Sequence, residues 1–208
     1  VQALAEVLRL VLRLLGHLAC ELGAPSQGRR LVSRALGMFD EIGQDHGQAQ
    51  CEVVIGEIDY YLGDHARARG FLTSASERFL KAGDWLGRAQ CLLLQGWVEQ
   101  AGGSPAFARE LLRTARADFD AIGYRLGLAQ CDITLAHADH REGNLDAART
   151  TALIARQSFR DLANPRGEAA CERLLAMSAL DAGHVEIAES HAKTAGAIFA
   201  RLADPWGE

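Results

Sequence analysis

Apolar residues along this chain recur at helical spacing. Ala49, Val53, Gly56 and Tyr60 follow at intervals of three and four, and the run stops at Gly63. A second run passes through Ala68, Leu72, Ala75 and Phe79 and ends near Gly83. The pattern predicts two helices with a tight corner between them. Glycine just past a helix end adopts the left-handed conformation that closes it, and Asp64 suits the N-cap of the second helix.

The same pattern returns every 40 residues. Phe39, Phe79, Phe119, Phe159 and Phe199 form one column, and Gly47, Gly87, Gly127, Gly167 and Gly207 another. Small residues recur at Gly16, Gly56, Gly96, Ala136 and Ala176, and corner glycines at Gly23, Gly63, Gly103, Gly143 and Gly183. Ser104 and Asn144 repeat the cap at Asp64. Pro25 and Pro105 stand in the first turn of the second helix, where a missing N–H costs nothing. Second helices end near Gly43, Gly83 and Gly123, with Ala163 and Ala203 later, and Asn164-Pro165 and Asp204-Pro205 restart the chain.

Columns in register at one period define a repeat architecture. Hairpins are expected at about 5–42, 44–82, 84–122, 124–162 and 164–202, with a further unit opening at 203–208. The Gly56 and Ala75 columns mark the close crossings, and the phenylalanines plug the space towards the helix ends. One hairpin alone leaves an apolar face wet, so stacking supplies the stability. The 208 residues read as one repeat domain, expected to be part of a larger protein because Val1 opens the chain and a unit stops at Glu208.

The order Gly56, Gly63, Ala68, Leu72, Ala75, repeated as Gly96, Gly103, Ala108, Leu112, Ala115, resembles the tetratricopeptide repeat (TPR) signature. Ala136, Gly143, Ala148, Ala152, Ala155 and Ala176, Gly183, Ala188, Ala192, Ala195 continue it. The period is longer than the usual length of about 34, as in the long variety found in bacterial signalling and transcription regulators and in kinesin-light-chain-like adaptors. The resemblance implies an all-α, right-handed α-solenoid of about five antiparallel helix hairpins, a TPR-like superhelix. It also implies a protein-protein interaction scaffold whose first helices line a concave groove for a partner peptide or helix, as the sensor or adaptor part of a larger regulatory protein.

By that pattern the groove is lined by Gln50, Val54, Glu57, Tyr60 and Tyr61, then Gln90, Leu94, Trp97 and Gln100. Further along come Gln130, Thr134, His137, His140 and Arg141, then Leu174, Met177 and Asp181. Tyr60 and Trp97 are the expected anchors, since aromatics dominate binding hot spots. The Gln50, Gln90 and Gln130 ladder suits hydrogen bonding to a peptide backbone. The basic cluster with which chaperone-binding members grip a C-terminal carboxylate has no match here.

Composition narrows the alternatives. The chain is 49% hydrophobic but only 6% aromatic, which favours small-residue helix packing over a sheet. A net charge of −5 argues against nucleic acid. No run approaches the roughly 20 apolar residues of a membrane span, and a cytoplasmic location is expected. Cys51, Cys91, Cys131 and Cys171 share one column and read as reduced, buried small hydrophobes; Cys20 stands apart. Arg29, Arg69, Arg109 and Arg149 form a second ladder, replaced by Glu189, that reads as a solvated face of weak ion pairs or a dock for an acidic surface. His137 and His140 share a helix face but lack the further ligands that zinc requires. No catalytic, cofactor-binding or metal motif is present, and no enzyme activity is expected. The competing readings are self-assembly through exposed solenoid ends, giving a homo-oligomer, and a ligand- or metal-responsive regulatory domain.

Overall fold

A computed structural model of the chain describes residues 24–203 together with positions 7, 8, 11, 14, 15 and 18. Gly16, Cys20, Gly23, Gly207 and the restart at Asp204-Pro205 lie outside the described residues. All regular structure among the described residues is helical. The helices of 24–203 are α1 (Pro25–Glu41), α2 (Asp45–Tyr61), α3 (His65–Ala82), α4 (Trp85–Gly102), α5 (Pro105–Ala121), α6 (Arg125–Arg141), α7 (Leu145–Asp161), α8 (Pro165–Asp181) and α9 (Val185–Ala203). Links of two or three residues join successive helices.

The chain divides into two compact units, Val1–Asp118 and Phe119–Glu208, with the boundary inside α5. In the first, α1 packs on α2, α2 on α3 and α3 on α4, and α2 also touches α4. In the second, α6 packs on α7, α7 on α8 and α8 on α9, and α6 touches α8. Within each unit, neighbouring first helices therefore meet, and a second helix fills between them.

The repeat columns explain the packing. A Cβ on Gly56 would stand 2.7 Å from the Leu72 side chain, and one on Gly96 2.7 Å from Leu112. Glycine is needed at these crossings because the leucine of the partner helix fills its place. The Gly47 column has an equally specific task. Cβ atoms on Gly47, Gly87 and Gly127 would lie 2.5 Å from Phe39, 2.6 Å from Phe79 and 2.5 Å from Phe119, and one on Gly167 would collide with Phe159. Each phenylalanine ring thus lies against bare backbone of the next first helix.

The corners follow the expected chemistry with three departures. Gly63, Gly143 and Gly183 take φ of 79°, 81° and 80°, and Asp64 N–H closes α2 by donating to the Asp59 carbonyl at 2.8 Å. Gly103 does not follow: its φ is −121° and α4 runs on to Gly102. There the Glu99 carboxylate accepts the Ser104 N–H at 3.1 Å, in place of the backbone carbonyl. A Cβ at Gly103 would collide with Glu99 Oε2, so a larger residue there would displace that cap. Asn144 makes no side-chain cap bond and its amide turns to Glu142 instead, whereas Asp64, Asp84, Ser104 and Asn164 all cap. Ala163 ends α7 at φ 49°, a left-handed conformation held without glycine.

Candidate functional site

The residues assigned to a partner groove fall on α2, α4, α6 and α8, the first helices of the hairpins. In the first unit α2 and α4 lie side by side, and this brings Tyr60 to Trp97 with ring centroids 6.1 Å apart. Tyr61 meets Tyr60 edge-on at 5.4 Å and His65, from the start of α3, approaches it at 6.0 Å. Tyr60 and Trp97 are half-buried, while Tyr61 stays 59% exposed. Burial raises the Tyr60 phenol above its ordinary value, so the ring is neutral at physiological pH. Glu57, Gln90 and Gln100 are half-buried on the same two helices. Gln50 is also half-buried, and its Oε1 has no hydrogen-bond partner among the described residues.

In the second unit α6 carries Gln130, His137, His140 and Arg141, and α8 carries Met177 and Asp181. His140 Nε2 lies 2.9 Å from Asp181 Oδ2. His137 stands on the same helix, one turn before His140. Burial, with the positive charges of Arg173 and His140, lowers its pKa to about 4, which keeps the imidazole neutral. Met177 and Arg141 are exposed, and an Arg173 Nη1 sits 4.0 Å from the Met177 sulfur. Among the described residues no three of His, Cys, Asp and Glu are grouped to hold a metal ion.

Val54, Thr134 and Leu174 correct the assignment. All three are buried rather than open to a partner. Val54, for instance, joins Cys51, Ile55 and Ile58 against Val32, Ala35 and Phe39 of α1.

The arginine ladder is also not a plain solvated face. Arg29 Nε donates to Asp59 at 2.6 Å and Arg69 Nε to Glu99 at 2.5 Å, and both carboxylates are buried. Each pair ties a second helix to the end of the next first helix. Arg149 lacks this partner: Ala179 stands in the acid column, and the arginine reaches only Asp146 at 3.6 Å. The second unit buries Glu172, in the column of Glu52, which is itself buried in the first unit beside Ser74 and Arg78. Glu172 accepts from Arg156 at 3.0 Å, has Arg160 at 3.5 Å, and meets His191 Nδ1 at 2.6 Å. These buried acids escaped a reading by apolar columns. The offset of 30 residues between arginine and acid, present three times in the sequence at 29/59, 69/99 and 109/139, was the available signal.

Cys51, Cys91, Cys131 and Cys171 are free and buried. Burial pushes the Cys51 and Cys171 thiols up to about 12 and the Cys91 thiol higher, so none of these three offers a thiolate at neutral pH. Among the described residues no helix is long and apolar enough to cross a membrane.

Stacked helical hairpins with small residues at each crossing are the fold of TPR-like repeat proteins, and comparison with solved structures gives the same class. BtubC (BKLC) from P. vanneervenii is similar over 97% of this chain and 91% of its own, with a TM-score of 0.70 at 15% identity. The nearly identical TPR-like repeats of a putative kinesin light chain from Podosopora anserina match 93% of this chain and 96% of theirs, with a TM-score of 0.66 at 16% identity. A single-substitution form of those repeats gives 0.67 at 15% identity, over 93% of this chain and 95% of that one. No family model and no curated protein matches the sequence.

Proposed function

We propose that this chain is a protein-interaction scaffold that binds a partner peptide or helix along the row formed by its first helices, as the sensor or adaptor segment of a larger regulatory protein in the cytoplasm. The observation that carries this reading is the Tyr60–Trp97 contact between α2 and α4, with Tyr61 exposed beside it. Rigid aromatic rings with accessible edges suit binding anchors, because they bury large area at little entropic cost. Gln50, Gln90 and Gln100 add amide groups able to bond an extended backbone. Gln130, His137, His140, Arg141 and Met177 form the corresponding row of the second unit. The chain binds rather than catalyses: the Cys51, Cys91 and Cys171 thiols are protonated, half-buried His137 is neutral, and Asp59, Glu99 and Glu172 are engaged by arginines.

The test is a pull-down with the wild-type chain and with Trp97→Ala, followed by titration of the captured partner. Trp97→Ala is expected to weaken binding at least tenfold while leaving the helical circular dichroism unchanged. Equal affinity for the two proteins would remove the aromatic row from the site.

A further inference from the structure

The clasp between Arg29 and Asp59 recurs as Arg69 and Glu99 and belongs to the packing of the layers. Two arginines beside the first clasp do not recur. Arg30 stands in a column that later holds Gly70, Glu110 and Thr150, and Arg67 in one that later holds Phe107, Ala147 and Ile187. The repeat packs without them.

Arg29, Arg30 and Arg67 open onto one cavity of 460 Å³, where α1 starts, α2 ends and α3 starts. Ser26, Asp59 and Asp64 share its wall. The two acids are already committed. Asp59, only 1% exposed, accepts from Arg29 Nε at 2.6 Å and has Arg67 Nε at 3.6 Å. Asp64 caps α3 by accepting the Arg67 backbone N–H at 3.2 Å, and its other oxygen lies 3.6 Å from Arg67 Nε. Arg30 is exposed and held by no ion pair among the described residues. Three guanidinium groups thus share two carboxylates, which leaves the cavity with a positive surplus. The first turn of α1 adds to it, since Ala24 at the N-cap offers no side-chain acceptor and no acid stands in that turn.

Buried Asp59 fixes Arg29 from behind, as a supporting group fixes one that holds a ligand. Guanidinium forks arriving from two helices suit a tetrahedral oxyanion, which accepts from several directions at once, whereas a planar carboxylate is satisfied by one fork. We propose that this cavity binds a phosphoryl group, with Arg30 and Arg67 as the recognising forks and Arg29 and Ser26 as further donors. Free phosphate and a phosphorylated side chain of a partner present the same chemistry to these residues. The site uses none of the aromatic row on α2 and α4.

Titration calorimetry with inorganic phosphate, at constant ionic strength with chloride as the reference anion, tests this. One saturable site is expected. Arg30→Gln and Arg67→Gln lie outside the recurring clasp and should leave the helical spectrum unchanged while each weakens binding about tenfold. Arg149→Gln, an exposed arginine of the second unit, should bind as wild type. So should Trp97→Ala, so this site and the aromatic row stand or fall separately. A pool of phosphoserine peptides with randomised flanks identifies the source. Tighter binding of the pool than of inorganic phosphate assigns the group to a partner's side chain, and weaker binding assigns it to free phosphate. Absence of saturable binding by either probe up to about 10 mM, or binding that survives both arginine variants, overturns the proposal. Equal binding of a pool with aspartate in place of phosphoserine also overturns it, since the site would then read a carboxylate.

Discussion

In the α2–α3 and α4–α5 hairpins the helices cross where glycine meets leucine; in residues 119–208 the same two columns both hold alanine. Gly56 faces Leu72 and Gly96 faces Leu112, with the leucine tip filling the place of the missing Cβ. Ala136 and Ala152, in the equivalent columns, are both fully buried in one cluster. The crossing is thus specified by the pair rather than by either residue. One helix supplies the bulk in the first unit, and the two share it in the second. The polar columns are under no such constraint, and there the units diverge freely. Rings and amides on α2 and α4 give way to imidazoles and guanidinium groups on α6 and α8.

The largest effect that separates the units is expected from trimming the bulky partner. Leu112→Ala leaves a void opposite a glycine and should cost about 2–5 kcal/mol. Ala152→Gly removes one methyl and should cost about 1 kcal/mol, mostly through helix propensity. Urea unfolding followed by circular dichroism measures both, and equal losses would dissolve the distinction.

A smaller effect concerns the buried acids of the first unit. The Arg69 guanidinium bonds Glu99 and holds its carboxyl below the ordinary 4.5. A lowered acid contributes stability above its unfolded-state value and loses it as pH falls through the folded value. Glu99→Gln should therefore cost about 1–2 kcal/mol at neutral pH, and the difference from wild type should close as pH falls below 4.5. Burial outweighs Arg29 at Asp59 and raises its carboxyl, so the sign is reversed. The folded state takes up that proton first, and acidification relieves the burial cost. Asp59→Asn should accordingly cost less than Glu99→Gln at neutral pH. Unfolding midpoints at neutral and acid pH check both signs.

The smallest effect is a gain. Ala163 holds a left-handed conformation that glycine holds at Gly43, Gly83 and Gly123. That conformation costs a side-chain-bearing residue about 1–2 kcal/mol, partly offset by the greater freedom glycine loses on folding. Ala163→Gly should raise stability by about 0.5–1 kcal/mol, seen as a higher calorimetric Tm. Gly123→Ala should do the reverse.

The helical repeat was legible because packing between neighbouring layers demands the same small or bulky residue at each recurrence. Phenylalanine on bare glycine backbone is visible in sequence as two columns eight residues apart. The departures arise where a long side chain reaches across layers. Gly103 takes an extended corner because Glu99 reaches back to cap it, and nothing in the Gly63 column announces this. The arginine ladder resembled a wet face because a row of like charges, taken helix by helix, reads as solvated. Its partners lie 30 positions away, on another helix. Of the groove row, the Tyr60–Trp97 contact pairs positions 60 and 97, which the repeat places on neighbouring first helices, while Val54, Thr134 and Leu174 turn into the core. Helical spacing alone does not separate these two adjacent stripes.

The claim that paired columns set each crossing is tested most directly by a double-mutant cycle on Gly96→Ala and Leu112→Ala. Gly96→Ala should destabilise by forcing its Cβ into Leu112, and it should do so far less once Leu112 is already alanine. The account predicts a double variant more stable than the sum of the single losses by about 0.5–3 kcal/mol. Strict additivity would contradict it.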